Sequence, residues 1–250
     1  MTLSARNQDI VQHLLDARAS SQPWQTPFDD APSADDAYAI QASVAAALGW
    51  FPAGPKAWKV GGKPDQISAA PLPEVLQSPA SWQAPGPDEV VIEAELAFRL
   101  GRTPTSADDV VASLGTVCVS IEIVGTRLAG GLTAPPTWKL ADQGLHAHLV
   151  IGAELPYAQC AAFTREDWAK QHSRVRVNGK VVAETTGTHP TGDPVSGLAG
   201  LFRHAERFTG GLRAGGVVTT GAFIVEKVRP GDLVDVDFEG FGTAQVQIRT

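Results

Sequence analysis

The segment VVIEAELAFRL, residues 90–100, constrains the fold more than any other part of the sequence. Its even-numbered positions are all apolar, whereas its odd-numbered positions include Glu93, Glu95 and Arg99. Successive side chains of a β-strand point to opposite faces, so this alternation predicts a long strand with one buried apolar face.

Several other segments also have the pattern of strands joined by tight turns. TVCVSIEIV, residues 116–124, alternates in the same way and carries Glu122 on its polar face. Asn178-Gly179 lies between SRVRV and KVVAE, which is a strong hairpin signal. After residue 215, the segments GVVTTGAFIV, LVDVDFE and TAQVQIR indicate closely spaced strands.

Helices are predicted mainly near the N-terminus. Apolar spacing indicates one helix around residues 10–15, and a second follows Ser33 as its N-cap. Capping and stop signals predict two further helices, over residues 106–115 and 193–210. Many strands of mixed length with helices at the N-terminal side predict a closed or rolled β-structure.

Composition and charge narrow the class of protein. The chain has 250 residues, 43% hydrophobic and 19% charged, which excludes an intrinsically disordered chain. A net charge of −7 gives no reason to expect non-specific binding to nucleic acid or to anionic membranes. The N-terminus lacks an apolar signal region, and no apolar run approaches the ~20 residues of a membrane span. We expect a soluble, cytoplasmic, globular protein.

Glu93, Glu95 and Glu122 are the most informative polar residues. Glu93 and Glu95 project from one strand face, so all three carboxylates converge if the two strands are neighbours. Because like charges repel, such a cluster needs protons or a cation, and oxygen ligands without His or Cys favour Mg²⁺ or Mn²⁺. On pattern alone, a solvated outer face of an antiparallel sheet is the commoner arrangement.

Two lysines are candidates for proton transfer. Lys59, in AWKVGG, is flanked by Trp58 and Val60, and burial beside apolar residues lowers the pKa of a lysine. Lys139, three residues before Asp142 in TWKLADQG, is the second candidate for proton transfer. A surface lysine is the ordinary alternative for each.

Other familiar catalytic patterns are weak in this sequence. His146 and His148 would share a strand face like a pair of metal ligands, but no third ligand follows at a defined spacing. The sequence contains no GxSxG elbow, P-loop or Rossmann glycine fingerprint, so the usual signals of acyl-serine and nucleotide chemistry are missing.

Five segments form a recognisable set: DAYAIQ (36–41), WKVGG (58–62), IEAELAF (92–98), IEIVGTRL (121–128) and DLVDVDFEGFG (232–242). With them the sequence resembles the fumarylacetoacetate hydrolase superfamily, and within it the 2-keto-4-pentenoate hydratase branch, which includes the 4-oxalocrotonate decarboxylases. The resemblance covers nearly the whole chain. DAYAIQ and WKVG are specific to the branch. The E-x-E pattern of IEAELAF and the C-terminal segment DLVDVDFEGFG are shared by the whole superfamily.

The resemblance implies an α+β fold, with a β-rich rolled mixed sheet around a metal and a helical N-terminal region. We place the helical region at residues 1–80 and the catalytic core at residues 81–250, within one continuous domain. The resemblance also implies a homo-oligomer, and members of this branch associate with a paralogous decarboxylase.

The resemblance also assigns residues to a site. The implied ligands of Mg²⁺ or Mn²⁺ are Glu93, Glu95 and Glu122, and the implied acid/base residue is Lys59. The further candidates are Lys139 for catalysis, and Asp142 and Thr220 for substrate binding.

Three positions depart from the branch pattern. Gly125 replaces the usual Asp, Gln143 replaces Asn, and Gly62 lies in WKVGGKP where the branch has WKVGLT. Glycine at two of these positions would enlarge the site and admit a longer or branched substrate. The spacing from Lys139 to Asp142 looks more like the K-x-x-D of the hydrolase and acylpyruvase members.

The implied activity is metal-dependent hydration of a 2-hydroxy-2,4-dienoate to a 4-hydroxy-2-oxo acid, in the catabolism of aromatic compounds. Decarboxylation of a vinylogous 2-oxo acid of the 4-oxalocrotonate type passes through the same enolate and stays open. C–C hydrolysis of an acylpyruvate or fumarylacetoacetate is another alternative, but it needs a His-Glu pair, and the N-terminal half contains only His13. A third alternative is a non-catalytic partner subunit. The retention of Lys59 and the three glutamates argues against it.

Overall fold

The computed structural model describes residues 3–250, which form two β-sheets and five α-helices. The helices are α1 (Ala5–Ser20), α2 (Ala34–Ala47), α3 (Pro136–Ala141), α4 (Arg165–Trp168) and α5 (Leu198–Phe208). The strands are β1 (Ala57–Lys63), β2 (Gln66–Pro71), β3 (Val75–Gln77), β4 (Ala80–Gln83), β5 (Val90–Leu100), β6 (Leu114–Val124), β7 (His146–Pro156), β8 (His172–Val177), β9 (Lys180–Thr186), β10 (Val217–Val228), β11 (Leu233–Phe238) and β12 (Gly242–Arg249). The sheet-rich α+β class expected from the sequence is confirmed.

The larger sheet has seven strands in the order β2-β1-β10-β5-β6-β7-β3. The β1–β10 and β3–β7 pairs are parallel, and the other pairs are antiparallel. β5 lies at the centre, and all its even-numbered side chains are buried, as the alternation predicted. The opposite face is also buried at mid-strand, where Glu95 is only 2% exposed. The centre of the sheet is therefore covered on both faces.

The smaller sheet has five strands in the order β4-β12-β11-β8-β9. It packs on the even-numbered face of β5, and one hydrophobic core joins the two sheets, with Ile92 and Leu96 from the larger and Val236 and Phe238 from the smaller. Because this core occupies one face of β5, the glutamates of that strand point to the opposite side.

Helices α1, α2 and α3 pack together around a second hydrophobic core. α2 begins as the sequence predicted, because Ser33 Oγ accepts a hydrogen bond from the Asp36 amide at 3.1 Å. The Asp36 carboxylate in turn accepts one from the Ser33 hydroxyl at 2.7 Å. Within the described residues, no helix is long and apolar enough to cross a lipid bilayer.

The region predicted to be helical, residues 1–80, is helical only as far as residue 47, and residues 1 and 2 lie outside the described part. Residues 57–83 instead form β1 to β4, which pair with β10, β7 and β12. β1 and β2 also form a local antiparallel hairpin, whereas the pairings of β1, β3 and β4 with β10, β7 and β12 join segments that are distant in the chain, so local patterning does not reveal those pairings. The proposed boundary at residue 80 thus falls among strands of both sheets.

The helix predicted over residues 106–115 is replaced by two 3₁₀ turns, Ala107–Asp109 and Val111–Ser113. The Asp109 carboxylate accepts hydrogen bonds from the Arg102 guanidinium at 2.6 and 2.5 Å. β6 begins directly after the second turn, so the chain has no room to continue as a helix.

The helix predicted from Asp193 begins four residues later than its expected first position, at Leu198. Asp193 does accept a hydrogen bond from the Val195 amide at 3.1 Å, but the residues between them and α5 form turns. The predicted hairpin is present, with Asn178-Gly179 between β8 and β9.

Candidate active site

Strand register brings three glutamate side chains together on the larger sheet. Glu93 on β5 pairs directly with Glu122 on β6, and Glu95 lies two residues farther along β5 on the same face. One carboxylate oxygen from each residue lies within 4.8 Å of the other two. The convergence predicted for neighbouring strands therefore occurs.

These carboxylates are shielded from solvent. Glu95 is 2% exposed and Glu122 is 0% exposed, which excludes a solvated outer face here. Burial, and then repulsion by the other two glutamates, raises the pKa of Glu95 well above its ordinary value. Burial also raises the pKa of Glu93, although Lys59 opposes the shift. A cation among these carboxylates would relieve their mutual repulsion.

Lys59 is the cationic side chain that contacts this cluster. It lies on β1, beside β10, and its Nζ donates to Glu122 Oε1 at 2.5 Å and to the Gly144 carbonyl at 3.1 Å. Burial alone would lower the pKa of Lys59, but attraction to the three glutamates outweighs it and raises the pKa. This shift is opposite to the one that its apolar neighbours predicted, and Lys59 is therefore an ammonium at neutral pH.

His146 and Thr219 hold the two most buried glutamates, and the sequence pattern identified neither role. His146 Nδ1 lies 3.2 Å from Glu122 Oε1, and the Thr219 hydroxyl donates a hydrogen bond to Glu95. Burial favours a higher pKa for Glu122, but Lys59 and His146 hold that pKa below its ordinary value. Because ionised Glu122 only accepts hydrogen bonds, Nδ1 of His146 must carry the proton.

The second carboxylate oxygen of Glu122 tests whether a metal ion fits this site. This atom, Oε2, is buried and has no hydrogen-bond partner among residues 3–250. A buried carboxylate oxygen without a partner is costly. With Glu93 and Glu95 it forms an all-oxygen donor set, which fits a hard divalent cation such as Mg²⁺ or Mn²⁺.

The other candidate residues make contacts away from the carboxylate oxygens. The Asp142 side chain is buried and accepts hydrogen bonds from Arg127 Nε at 2.5 Å and from the Arg127 amide at 2.8 Å. The Thr220 hydroxyl donates to the Leu96 carbonyl at 3.1 Å. Lys139 is half-buried in α3, with no side-chain hydrogen bond or ion pair among the described residues. Their catalytic and binding roles stay predictions.

A cavity of about 890 Å³ borders His146, but Glu93, Glu95, Glu122 and Lys59 are not among the residues that line it. Its wall includes Val91 and Val124, which lie on the glutamate-bearing face of the sheet, two residues from Glu93 and from Glu122 respectively. His146 also lines the cavity and contacts Glu122, so it links the cavity to the carboxylate cluster.

The departures from the branch pattern have different structural consequences. Gly125 and Gln143 line the cavity, and a Cβ at residue 125 would lie only 2.9 Å from the Ala147 Cβ, so close packing with β7 requires glycine there. Gly62 has φ of +82°, and a Cβ would lie 2.6 Å from the Gln66 carbonyl oxygen. Gly62 lies in β1 just before the tight turn into β2, and its positive φ together with the close Gln66 carbonyl requires glycine at this position.

Comparison with known families gives the wider context. Residues 50–249 match the family model described as fumarylacetoacetate (FAA) hydrolase C-terminal. The chain belongs to the fumarylacetoacetate hydrolase family. The matched span contains Lys59 and all three glutamates of the cluster. The superfamily indicated by the sequence motifs is therefore confirmed.

Three solved structures share the fold of this family member. The 4-oxalocrotonate decarboxylase from Pseudomonas putida G7, complexed with magnesium and adipate, matches over 99% of both chains, with a TM-score of 0.80 and 19% identity. Fumarylpyruvate hydrolase from Pseudomonas aeruginosa, in complex with Mn²⁺ and pyruvate, matches over 77% of this chain and 88% of the hydrolase chain. The TM-score is 0.55 and the sequence identity is 15%. The 5-carboxymethyl-2-hydroxymuconate delta-isomerase from Mycobacterium smegmatis matches over 78% of this chain and 76% of the isomerase chain. The TM-score is 0.55 and the sequence identity is 18%. The first match therefore includes the N-terminal helices.

Proposed function

We propose that this chain is a divalent-metal-dependent hydratase that adds water to a 2-hydroxy-2,4-dienoate and yields a 4-hydroxy-2-oxo acid. The observation that carries the proposal is the Lys59 ammonium, 2.5 Å from Glu122 at a cluster of three carboxylates. Reaction of such a dienoate needs a cation to stabilise charge on the 2-oxygen and a proton donor close by. The three carboxylates would hold the cation, and Lys59 would be the proton donor.

Glu93, Glu95 and Glu122 would hold one Mg²⁺ or Mn²⁺, a Lewis acid for the negative charge that develops on the 2-oxygen. The hard donor set supports this assignment, as do the magnesium and manganese in two structurally similar proteins. Thr219 and His146 would keep Glu95 and Glu122 in fixed orientations through their hydrogen bonds.

Lys59 would transfer the proton that converts the dienol into an unsaturated ketone. The 2-hydroxyl would first release its proton to solvent, which leaves a dienolate; the Lys59 ammonium would then give a proton to C5 while the double bonds shift, and the amine would take a proton back from water. Water adds next, with its oxygen bonding to C4 and a hydrogen to C3. The hydrogen bond from Nζ to Glu122 favours the ammonium form that this transfer requires.

A decarboxylase of the 4-oxalocrotonate type is a second candidate. Loss of CO₂ from a carboxylate vinylogous to the ketone leaves its electron pair in the same dienolate, which Lys59 could protonate at carbon. The match to the Pseudomonas putida decarboxylase over 99% of both chains favours this alternative over other activities found with this fold.

A C–C hydrolase is disfavoured by the hydrogen bonds of the His-Glu pair in the cavity. Trp82 Nε1 donates to His148 Nδ1 at 2.7 Å, so Nε2 of His148 carries the proton and donates to Glu74 at 2.6 Å. Both ring nitrogens are occupied, which leaves no free lone pair to activate a water molecule.

We expect the purified protein with Mg²⁺ to consume 2-hydroxypenta-2,4-dienoate and to form a product heavier by one water. The assay follows the loss of dienol absorbance and the product mass, with 4-oxalocrotonate and acylpyruvates tested in parallel. CO₂ release from 4-oxalocrotonate without hydration would favour the decarboxylase. Cleavage of acylpyruvates with no consumption of any dienoate would contradict both candidates.

A further inference from the structure

Two buried side chains next to the carboxylate cluster each carry a hydrogen-bond acceptor that has no donor. His146 is 2% exposed and Gln143 is 1% exposed. Nε2 of His146 and Oε1 of Gln143 have no hydrogen-bond partner among residues 3–250. Because a buried acceptor without a partner is costly, each of these atoms calls for a donor that the described chain does not supply.

The hydrogen bonds that these two residues already make show that both free atoms are acceptors. Because Nδ1 of His146 carries the proton that it donates to Glu122, Nε2 keeps its lone pair. A second proton on the ring would add a cation at the Glu122 oxygen that the Lys59 ammonium already contacts at 2.5 Å. The Gln143 amide nitrogen donates to the Pro71 carbonyl at 2.6 Å, so the atom left free is the amide oxygen.

The turn over residues 143–145 holds both side chains in place beside the cluster. Its three φ angles are 55°, 62° and 60°, a left-handed run that residues other than glycine rarely adopt. The carbonyl of Gly144, its central residue, accepts a hydrogen bond from Lys59 Nζ at 3.1 Å. His146 follows the turn directly, and its Nδ1 lies 3.2 Å from Glu122 Oε1. Both residues with a free acceptor also line the cavity, so this segment connects the cavity to the carboxylate cluster.

We propose that Nε2 of His146 accepts a hydrogen bond from the water that adds to C4 and, once the product has formed, from its 4-hydroxyl. The proposal rests on the proposed function, because only a hydration product carries this hydroxyl. His146 is favoured over Gln143 because its ring contacts Glu122 directly, and because Nδ1 and Nε2 lie on different sides of the ring, so that the free atom points away from the carboxylate. An O–H group suits a neutral acceptor, whereas an oxygen without hydrogen would be repelled by its lone pair.

The hydration step needs an acceptor at this position and not a strong base. The water donates one O–H to Nε2, and its oxygen bonds to C4 through a lone pair. Its other hydrogen goes to C3 as a proton and leaves the bonding electrons on oxygen, and the electron pair of the C3–C4 double bond forms the new C3–H bond. The O–H that faces His146 remains as the 4-hydroxyl, so the imidazole is neutral before and after the step. A C–C hydrolase would instead have to take a proton from water, which would create the second cation at Glu122.

The test compares the binding of 4-hydroxy-2-oxopentanoate and of 2-oxopentanoate to the full chain with Mg²⁺, by calorimetry. The unmodified protein should bind the hydroxy acid roughly threefold to tenfold more tightly, the scale of one neutral hydrogen bond. His146→Asn keeps an N–H near the position of Nδ1 but has no atom at the position of Nε2, so the two acids should bind equally. His13→Asn, at an exposed histidine on α1, is the matched control and should keep the preference.

The role of His146 would be overturned if the unmodified protein bound the two acids equally or bound neither, or if His146→Asn retained the preference. A preference that His146→Asn retains and Gln143→Met loses would assign the contact to Gln143 instead. If His146→Asn does not fold, a crystal structure of the unmodified protein with Mg²⁺ and the hydroxy acid decides, and a 4-hydroxyl farther than about 3.2 Å from Nε2 would contradict the proposal. A preference that depends on His146, with no hydration of any dienoate, would contradict only the proposed function.

Discussion

Glu95→Gln is expected to abolish Mg²⁺-dependent turnover while the protein stays folded. Glu95 is buried and belongs to the carboxylate cluster, so the neutral amide removes one anionic ligand without changing the size of the side chain. Lewis-acid stabilisation contributes several kcal/mol, so we expect a fall in kcat of roughly a thousandfold or more. Steady-state kinetics with saturating Mg²⁺ give the measurement.

The thermal stability of the same variant distinguishes a lost metal site from a damaged fold. Since crowding by Glu122 and Glu93 helps raise the pKa of Glu95, the amide should leave Tm without added metal unchanged or higher. The unmodified protein should gain about 2.7 kcal/mol of stability when Mg²⁺ is present at about 100 times its Kd, and the variant should gain little. Glu166→Gln, at an exposed position, is the matched control. A variant that kept its Mg²⁺-dependent turnover would show that Glu95 is not a ligand.

Lys59→Met should lower kcat by roughly a hundredfold or more, the usual scale for a lost acid/base group. Methionine keeps much of the volume of the side chain but cannot give a proton to the substrate. Because the ammonium lies 2.5 Å from Glu122, its removal should leave Mg²⁺ affinity unchanged or increase it. Single-turnover kinetics together with a Mg²⁺ titration separate these two effects.

Two further lysine variants complete this experiment. Lys63→Met changes an exposed lysine on the same strand and should behave like the unmodified protein. Lys139→Met tests the other lysine candidate, which has no side-chain hydrogen bond or ion pair among the described residues. Near-normal turnover by Lys59→Met, together with a large loss in Lys139→Met, would transfer the acid/base role to Lys139.

The glutamate cluster could be predicted from the sequence because strand alternation is a local property. The pattern of residues 90–100 places Glu93 and Glu95 on one face, and the pattern of residues 116–124 places Glu122 on the polar face. Only the adjacency of β5 and β6 had to be assumed. The burial of that face was not predictable, because it depends on elements that are distant in the chain.

The contact between Lys59 and Glu122 lies beyond local patterning. Lys59 reaches Glu122 because β1 pairs in parallel with β10, a strand more than 150 residues later in the chain. Long-range pairing of this kind leaves no periodic signal in either segment.

Thr219 and His146 show two smaller limits of the sequence analysis. The register between β10 and β5 shifts after Thr219, so alternation does not indicate which of Thr219 and Thr220 faces Glu95. The sequence pattern offers His146 and His148 as a pair of metal ligands, but in the structure His146 is a hydrogen-bond partner of Glu122. A search for residues that orient ligands, in addition to the ligands themselves, would have retained it.

The central claim is that Glu93, Glu95 and Glu122 hold one divalent cation to which a 2-oxo acid binds, with Lys59 beside it. The most direct measurement is a crystal structure with Mn²⁺ and oxalate, in which anomalous scattering locates the metal. We predict one peak within about 2.5 Å of an oxygen from each glutamate, with oxalate on the ion and Lys59 Nζ within hydrogen-bond reach of oxalate, directly or through one water. A manganese peak elsewhere, or one that leaves these three carboxylates without a metal contact, would contradict this account.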